Sequence, residues 1–494
     1  MRPAKQLLGS GVSRRAFLRG ASLLAAGAVA PSWLAACGGG GNSAPRDAAI
    51  PLEVDPSRPW WLQNNFDPVF DELDVANLVV RGSIPSRLDG IYVRNGSNAQ
   101  NADNQHWFVG DGMLHGVRLR DGRAEWYRNR YIRTPLYEQG LTLLEAGAPI
   151  GGNNQSNVSP IYHGGRLLTS GEVGFPYEID PDDLSTVGVH DFDGGINTSF
   201  TAHSKIDPTT GYLHFFGYWF GPPFLTYHVA DETGALIHSE EVEVRLSSMI
   251  HSFAITERDV VFWECPVLFD PGGFAVHGFP FLWHEDYGAR IGIMPLGGPA
   301  SAIRWVEIEP AYVFHELNAF RDGDEVVIDV CRYERMMDGE RFGTFPPVLH
   351  RWRVDTGGAS LSFRDEVIED SERYEFPMRD ARVVGRPHRH GWFVEVPDHP
   401  ETIDPRGIAH LDYRRGIWRR WNPGPNRHCG EALFVPGGDG EGEGWLLTLV
   451  YDHGRDQSDL AILEALDIEA GPVAQIRMPR RVPHGFHGAW IPRS

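Results

Sequence analysis

The sequence predicts an all-β fold, a seven-bladed β-propeller, and three observations carry that prediction. Gly (57) and Pro (36) together fill nearly a fifth of the 494 residues, and both are poor in helix interiors, glycine through its backbone entropy and proline through its missing N–H. The chain is 41% hydrophobic, with 15 Trp and 26 Phe, which is far too apolar for a disordered chain. One unit also recurs: a short alternating strand, a turn built on Asp and Gly, and a second strand. Copies are centred on Asp121, Asp180, Asp231, Asp355, Asp412 and Asp467, and a copy without the Asp on Leu296. Their spacings of 59, 51, 65, 59, 57 and 55 residues average about 58. Seven members at that period suit four-stranded blades closing one ring, so the length does not call for three separate domains.

At the N-terminus, residues 13–19 read SRRAFLR and precede an apolar run from Ala21 to Ala36, the pattern of a twin-arginine export signal. The run ends Leu34-Ala35-Ala36-Cys37, which looks like a lipobox and would leave Cys37 lipidated at a cell-envelope membrane. An ordinary cleaved signal with a chance cysteine is the alternative. Residues 1–36 are therefore expected to be a signal peptide, 37–58 a flexible tether containing GGGGNS, and 59–494 the propeller. Loss of residues 1–36 removes five cations and no acid, taking the formal charge from −21 to −26. Such acidity argues against nucleic acid, whose phosphates need a basic footprint. Twin-arginine export carries folded proteins, so a metal loaded in the cytoplasm is expected. Of four cysteines, Cys265, Cys331 and Cys429 would remain as thiols. They allow at most one disulfide, and burial as small apolar residues is the plain alternative.

Within the ring, each turn aspartate has a local task, capping the turn while Gly supplies the positive φ. None is a candidate site residue. Residues 262–284 hold seven aromatics and no Lys or Arg, and the segment from Tyr218 to Tyr227 is similar. Their Gly and Pro content predicts loops rather than strands, and apolar loops over a propeller face suggest a lid or tunnel for an apolar small molecule. Ordinary core packing is the alternative. Beyond the signal, no segment approaches the ~18 consecutive apolar residues of a membrane span.

Of the 21 histidines, four stand in unusual company. His203 lies in FTAHSKIDPTTGYLHFFGY, His251 in SSMIHSFAITERDVVFWECP, His315 in YVFHELNAFRDGDEVVIDVCRYE and His487 in VPHGFHGAWIP. Separations of 48, 64 and 172 residues place them on different blades, and no local HExxH or CxxC motif is present. These segments, with GSIPSRLDGIYVRNGSN and HWFVGDGMLHGVRL, resemble the carotenoid cleavage oxygenases, also called the retinal pigment epithelial membrane protein family. The similarity runs from about residue 60 to the C-terminus.

The resemblance implies a seven-bladed propeller that holds iron(II) on its axis through His203, His251, His315 and His487; the apolar loops are expected to form a lid over that site. His484 is the nearest competitor for the last position. Four neutral imidazoles suit a redox-active iron and leave coordination open for dioxygen. By the family pattern Glu172, Glu375 and Glu431 would orient His251, His315 and His487 respectively; solvated loop charges are the plain alternative. The activity implied is a non-haem iron(II) dioxygenase that cleaves a carbon–carbon double bond of a carotenoid or apocarotenoid to two carbonyl products. A stilbene- or phenylpropanoid-cleaving dioxygenase is one rival, and a non-catalytic propeller lipoprotein for apolar ligands another. Three positions depart from the family pattern: Ser252 where Asp is typical, Arg321 for Glu, and Val109 for Asp. The stilbene-cleaving members grip a phenol with Lys and Tyr, and here the only lysine besides Lys5 is Lys205, in a motif shared across the family.

Overall fold

The hairpins that recur in the sequence form the outer part of seven antiparallel sheets in the computed structural model. The structure describes residues 55, 57–100, 106–147, 151–339, 341–343, 346–397 and 405–493. The signal, Cys37 and nearly all of the tether lie outside the described residues.

From the inner edge outward, the first blade is Gly488–Pro492, Gly90–Ser97, Gly112–Arg120 and Arg123–Tyr131, with Asp74–Ala76 added outside. The second is Ser159–His163, Arg166–Ser170, Tyr177–Ile179 and Thr186–Val189, and the third Lys205–Ile206, Leu213–Tyr218, Leu225–Ala230 and Leu236–Glu241. The fourth comprises Ala254–Ile255, Asp259–Glu264, Ala289–Pro295 and Arg304–Ile308. Tyr312–Asp322, Glu325–Tyr333, Val348–Asp355 and Ser362–Glu369 make the fifth; Tyr374–Met378, His390–Glu395, Gly407–Asp412 and Ile417–Trp421 the sixth. In the seventh, Arg427–Cys429 and Leu433–Pro436 both pair with Gly444–Asp452, followed by Gln457–Glu464, Pro472–Arg477 and the edge strand Val80–Gly82. The ring closes where the C-terminal strand pairs with the N-terminal one, from Gly90 opposite Pro492 to Arg94 opposite Gly488.

Position in the blade explains the sequence pattern of each strand. Leu213–Tyr218, Leu225–Ala230, Asp259–Glu264 and Gly407–Asp412 are buried at every residue, because neighbouring blades cover both of their faces. The outer strand Leu236–Glu241 alternates between half-buried and exposed, since only one face meets a neighbour. At the tight turn between Arg120 and Arg123, Asp121 and Gly122 both take positive φ, 49° and 73°, as a two-residue hairpin requires. Asp231 receives the backbone N–H groups of Thr233 and Ala235 at 2.9 and 3.0 Å; Asp467 makes no side-chain cap.

The expectation of loops over 262–284 is corrected. Phe262 and Trp263 belong to the buried strand Asp259–Glu264, while Val267–Phe269 pairs with Phe281–Trp283 around the short helix Gly273–His277. Glycine and proline mark the turns of this excursion; Phe269, Phe281 and Trp283 lie in its strands, Phe274 in its helix and Phe279 in the turn that follows. A second excursion, Met336–Asp338 with Arg341–Gly343, leaves the fifth blade between the same two strand positions. Between Tyr218 and Tyr227 only the turn after Tyr218 is loop, and Leu225–Ala230 is strand. Cys265, Cys331 and Cys429 are buried free thiols. Among the described residues no helix is long and apolar enough to cross a membrane.

Candidate metal centre

Inner strands bring residues distant in sequence to one axis. His203, His251 and His487 each stand just before the innermost strand of the third, fourth and first blades, and His315 lies within that of the fifth. Around His315 the pairing with Glu325–Tyr333 slips between Val313 and Glu316 and again between Glu316 and Asn318. Such a bulge re-aims a side chain that regular pleating would send elsewhere. The ligand atoms of these four histidines all lie within 4.8 Å of one another, with His203 Nε2 2.8 Å from His251 Nε2.

Three imidazoles are oriented from behind. His251 Nδ1 meets Glu172 at 2.7 Å, His315 Nδ1 meets Glu375 at 2.5 Å, and His487 Nδ1 meets Glu431 at 2.8 Å. A carboxylate on Nδ1 places the proton there and leaves the Nε2 lone pair facing the axis. Each carboxylate uses its second oxygen as well: Glu172 accepts from Tyr218 Oη at 3.1 Å, Glu375 from Tyr333 Oη at 2.9 Å and Glu431 from the Gly488 N–H at 2.8 Å. Glu375 is buried. Burial by itself would raise its carboxyl, but His315, the Phe376 N–H and Tyr333 together hold it below the usual range.

Burial, followed by the neighbouring imidazoles, holds His203 well below the ordinary histidine value, and burial likewise lowers His315 against the raising effect of Glu375. Both of these imidazoles are therefore held neutral. His315 Nε2 is buried and has no hydrogen-bond partner. Donors about 2.1 Å from a common ion lie no more than about 4.2 Å apart, so the cluster needs only a slight contraction to hold one transition metal. The all-imidazole donor set suits iron, zinc, copper or nickel rather than magnesium or calcium. His484 is buried outside this group, its ring 4.8 Å from that of Phe66.

Aromatic rings border the imidazoles. Phe314 lies 5.0 Å from His251, and Phe376, held at a positive φ of 48°, lies 5.3 Å from His315 and 5.6 Å from His487. Contacts run outward from Phe314 to Phe108 at 6.1 Å and on to Phe279 of the fourth-blade excursion at 5.6 Å. His203, His315, His487 and Phe376 line a cavity of about 210 Å³ together with Lys205, Glu316 and Arg379.

The departures noted in the sequence have structural partners. Ser252 donates to Glu316 at 2.6 Å, beside the buried Lys205–Glu316 ion pair at 2.8 Å. Arg321 grips Asp259 through two bonds of 2.6 and 2.7 Å, joining the fourth and fifth blades, and Val109 is buried. Sequence reasoning missed Tyr218 and Tyr333, the partners of the orienting carboxylates. Tyr218 stood out only as one aromatic of an apolar segment, and Tyr333 only as a residue near the end of the segment around His315.

Comparison with known proteins agrees with this architecture. The family model described as retinal pigment epithelial membrane protein matches residues 66–492. A carotenoid cleavage oxygenase of Mycobacterium tuberculosis is 35% identical, covering 88% of this chain and 98% of the relative. The crystal structure of Pseudomonas brassicacearum lignostilbene dioxygenase superposes with a TM-score of 0.80 at 28% identity, covering 90% of this chain and all of that one. A cobalt-substituted apocarotenoid oxygenase of Synechocystis gives 0.75 at 27% identity, over 86% and 97% of the two chains. The match over nearly the whole propeller places this oxygenase in the retinal pigment epithelial membrane protein family, to which the chain belongs.

Proposed function

We propose that this oxygenase holds iron(II) on His203, His251, His315 and His487 and cleaves a carbon–carbon double bond of a carotenoid or apocarotenoid to two carbonyl products. The observation that carries the reading is the convergence of four Nε2 atoms, three of them backed by carboxylates, beside a layer of aromatic rings. Iron(II), when bound, supplies the activation of dioxygen. The protein's part is to keep the four donors aimed at one point, three of them through Glu172, Glu375 and Glu431. Phe314, Phe108 and Phe279 make a chain of apolar rings leading from His251, a surface that suits a conjugated polyene. No side-chain nucleophile or general acid is needed.

Cleavage of stilbenes is the second reading, favoured by the likeness to a lignostilbene dioxygenase. Against it, Lys205 is engaged by Glu316 at 2.8 Å and so is not free to grip a phenol. Aerobic incubation of the iron-loaded protein with apocarotenals, carotenoids and lignostilbene, read by mass detection of aldehydes, decides between them. Aldehydes from polyenes alone are expected; turnover of lignostilbene alone would overturn the substrate assignment. Less than a tenth of an equivalent of iron after anaerobic loading would favour a non-catalytic binding protein instead. We further propose export by the twin-arginine route and lipid anchoring at Cys37, on the strength of Arg14–Arg15 and the Leu34–Cys37 pattern. Such an anchor would hold the enzyme beside the membrane in which its substrate dissolves.

A further inference from the structure

We propose that Arg94 is a positioning residue for His487: its buried guanidinium, completed by one internal water, clamps the loop of residues 483–487. The proposal rests on the reading of the four histidines as metal ligands. His487 is the candidate ligand that arrives on a stretch with glycines at 485 and 488, so its aim depends on what holds that stretch from outside. Arg94 lies in Gly90–Ser97, the second strand of the first blade, directly opposite Gly488, and is 6% exposed.

Its Nη2 donates to the Pro483 carbonyl at 2.7 Å. A Cβ on Gly485 would stand 1.8 Å from Arg94 Nη1, and one on Gly96 3.2 Å from the same atom. The two glycines thus form the notch that receives the guanidinium. The neighbouring residue ties the rest of the loop, since Asn95 N–H donates to His487 O at 2.9 Å and Phe486 N–H to Asn95 O at 3.0 Å.

A cavity of about 20 Å³ adjoins this clamp, lined among others by Asn65, Arg94 and Glu431. Arg94 Nε and Asn65 Oδ1 are both buried without a hydrogen-bond partner, and Asn65 is 3% exposed. One donor and one acceptor left over at a polar void of that size specify a single water, which needs roughly 10–15 Å³ and two to four polar partners. Glu431, on the same cavity, is the carboxylate that binds His487 Nδ1 and the Gly488 N–H, both at 2.8 Å. His487 is therefore held through its ring by Glu431 and through its loop by Arg94. Lysine would not substitute fully, because only the planar fork can serve the carbonyl and the water from one side chain.

The test is anaerobic cobalt(II) titration, read by visible absorption, of the wild type, Arg94→Met, Arg94→Lys, Glu431→Gln and the Arg94→Met/Glu431→Gln double variant, with melting curves for each. Arg94→Met is expected to weaken cobalt binding about 10- to 100-fold, as loss of an orienting partner does, and Arg94→Lys to recover part of that. The double variant should lose less than the two single losses combined, because both act on the same imidazole. A merely structural role would lower the melting temperature while leaving the folded protein's affinity unchanged. Folded Arg94 variants that bind cobalt within twofold of the wild type overturn the proposal, and should Arg94→Met fail to fold, Arg94→Lys decides alone. A wild type that binds no cobalt defeats the metal reading itself and takes this proposal with it.

Discussion

Glu375 accepts three hydrogen bonds, from His315 Nδ1, from Tyr333 Oη and from the N–H of Phe376, whose positive φ sets its ring against two imidazoles. A glutamine there keeps the volume but offers only one acceptor oxygen, so Glu375→Gln is expected to lower cobalt affinity about 10- to 100-fold in the same titration. Tyr333→Phe leaves one buried carboxylate oxygen unpaired and should cost about 1–3 kcal/mol of stability in denaturant unfolding. Equal cobalt affinity in Glu375→Gln and the wild type would remove Glu375 from the site. The glutamate was legible because it sits in a short motif, Tyr374-Glu375-Phe376-Pro377, that resembles its family counterpart. Tyr333 was not, since its contact with Glu375 spans 42 residues and is created where the second strand of the fifth blade meets the innermost strand of the sixth. Ser252 and Arg321 read as departures, yet each is bound inside a local ionic network that a linear pattern does not display.

At the scale of the element, the hairpins were the most legible feature, because turn chemistry is local: an Asp and a Gly a few residues apart need no distant partner. Asp412 shows where locality ends. It accepts the Arg415 N–H in its own turn, but also both guanidinium bonds of Arg389, at 3.0 and 2.7 Å, from the neighbouring turn. The Arg389 bonds hold its carboxyl down to about 2, against 3.8 for a free aspartate. Folded protein therefore binds this proton more weakly than unfolded chain does. The stabilisation is complete above about pH 4 and is lost as pH falls towards about 2. An Asp412→Asn variant should melt below the wild type at pH 7, and the gap should close between about pH 4 and pH 2. A gap that does not vary with pH would contradict this assignment. The 262–284 excursion was misread as loop because glycine and proline counts do not separate turns from the short strands between them. Only the pairing of Val267–Phe269 with Phe281–Trp283 settles it.

Across the whole molecule, closure makes one ring of seven sheets. The first blade takes its innermost strand from the C-terminus and the seventh its outermost from residues 80–82. Residues beyond His487 are thus an integral strand, and a chain ending at His487 should fail to give a cooperative melting transition by circular dichroism. Retention of the wild-type melting temperature would contradict this closure. Composition, turn chemistry and periodicity determined the fold class, the number of blades and the order of the elements, because those signals reside within a few residues of one another. The histidine and glutamate motifs marked the candidates for the same reason. Tertiary structure alone decided which donor atoms face one another, which tyrosines steady the carboxylates, and that Arg94 lies under the His487 loop. Those contacts join residues tens to hundreds of positions apart, and they depend on strand register and on bulges, which shift side chains by whole faces for a single residue of slip.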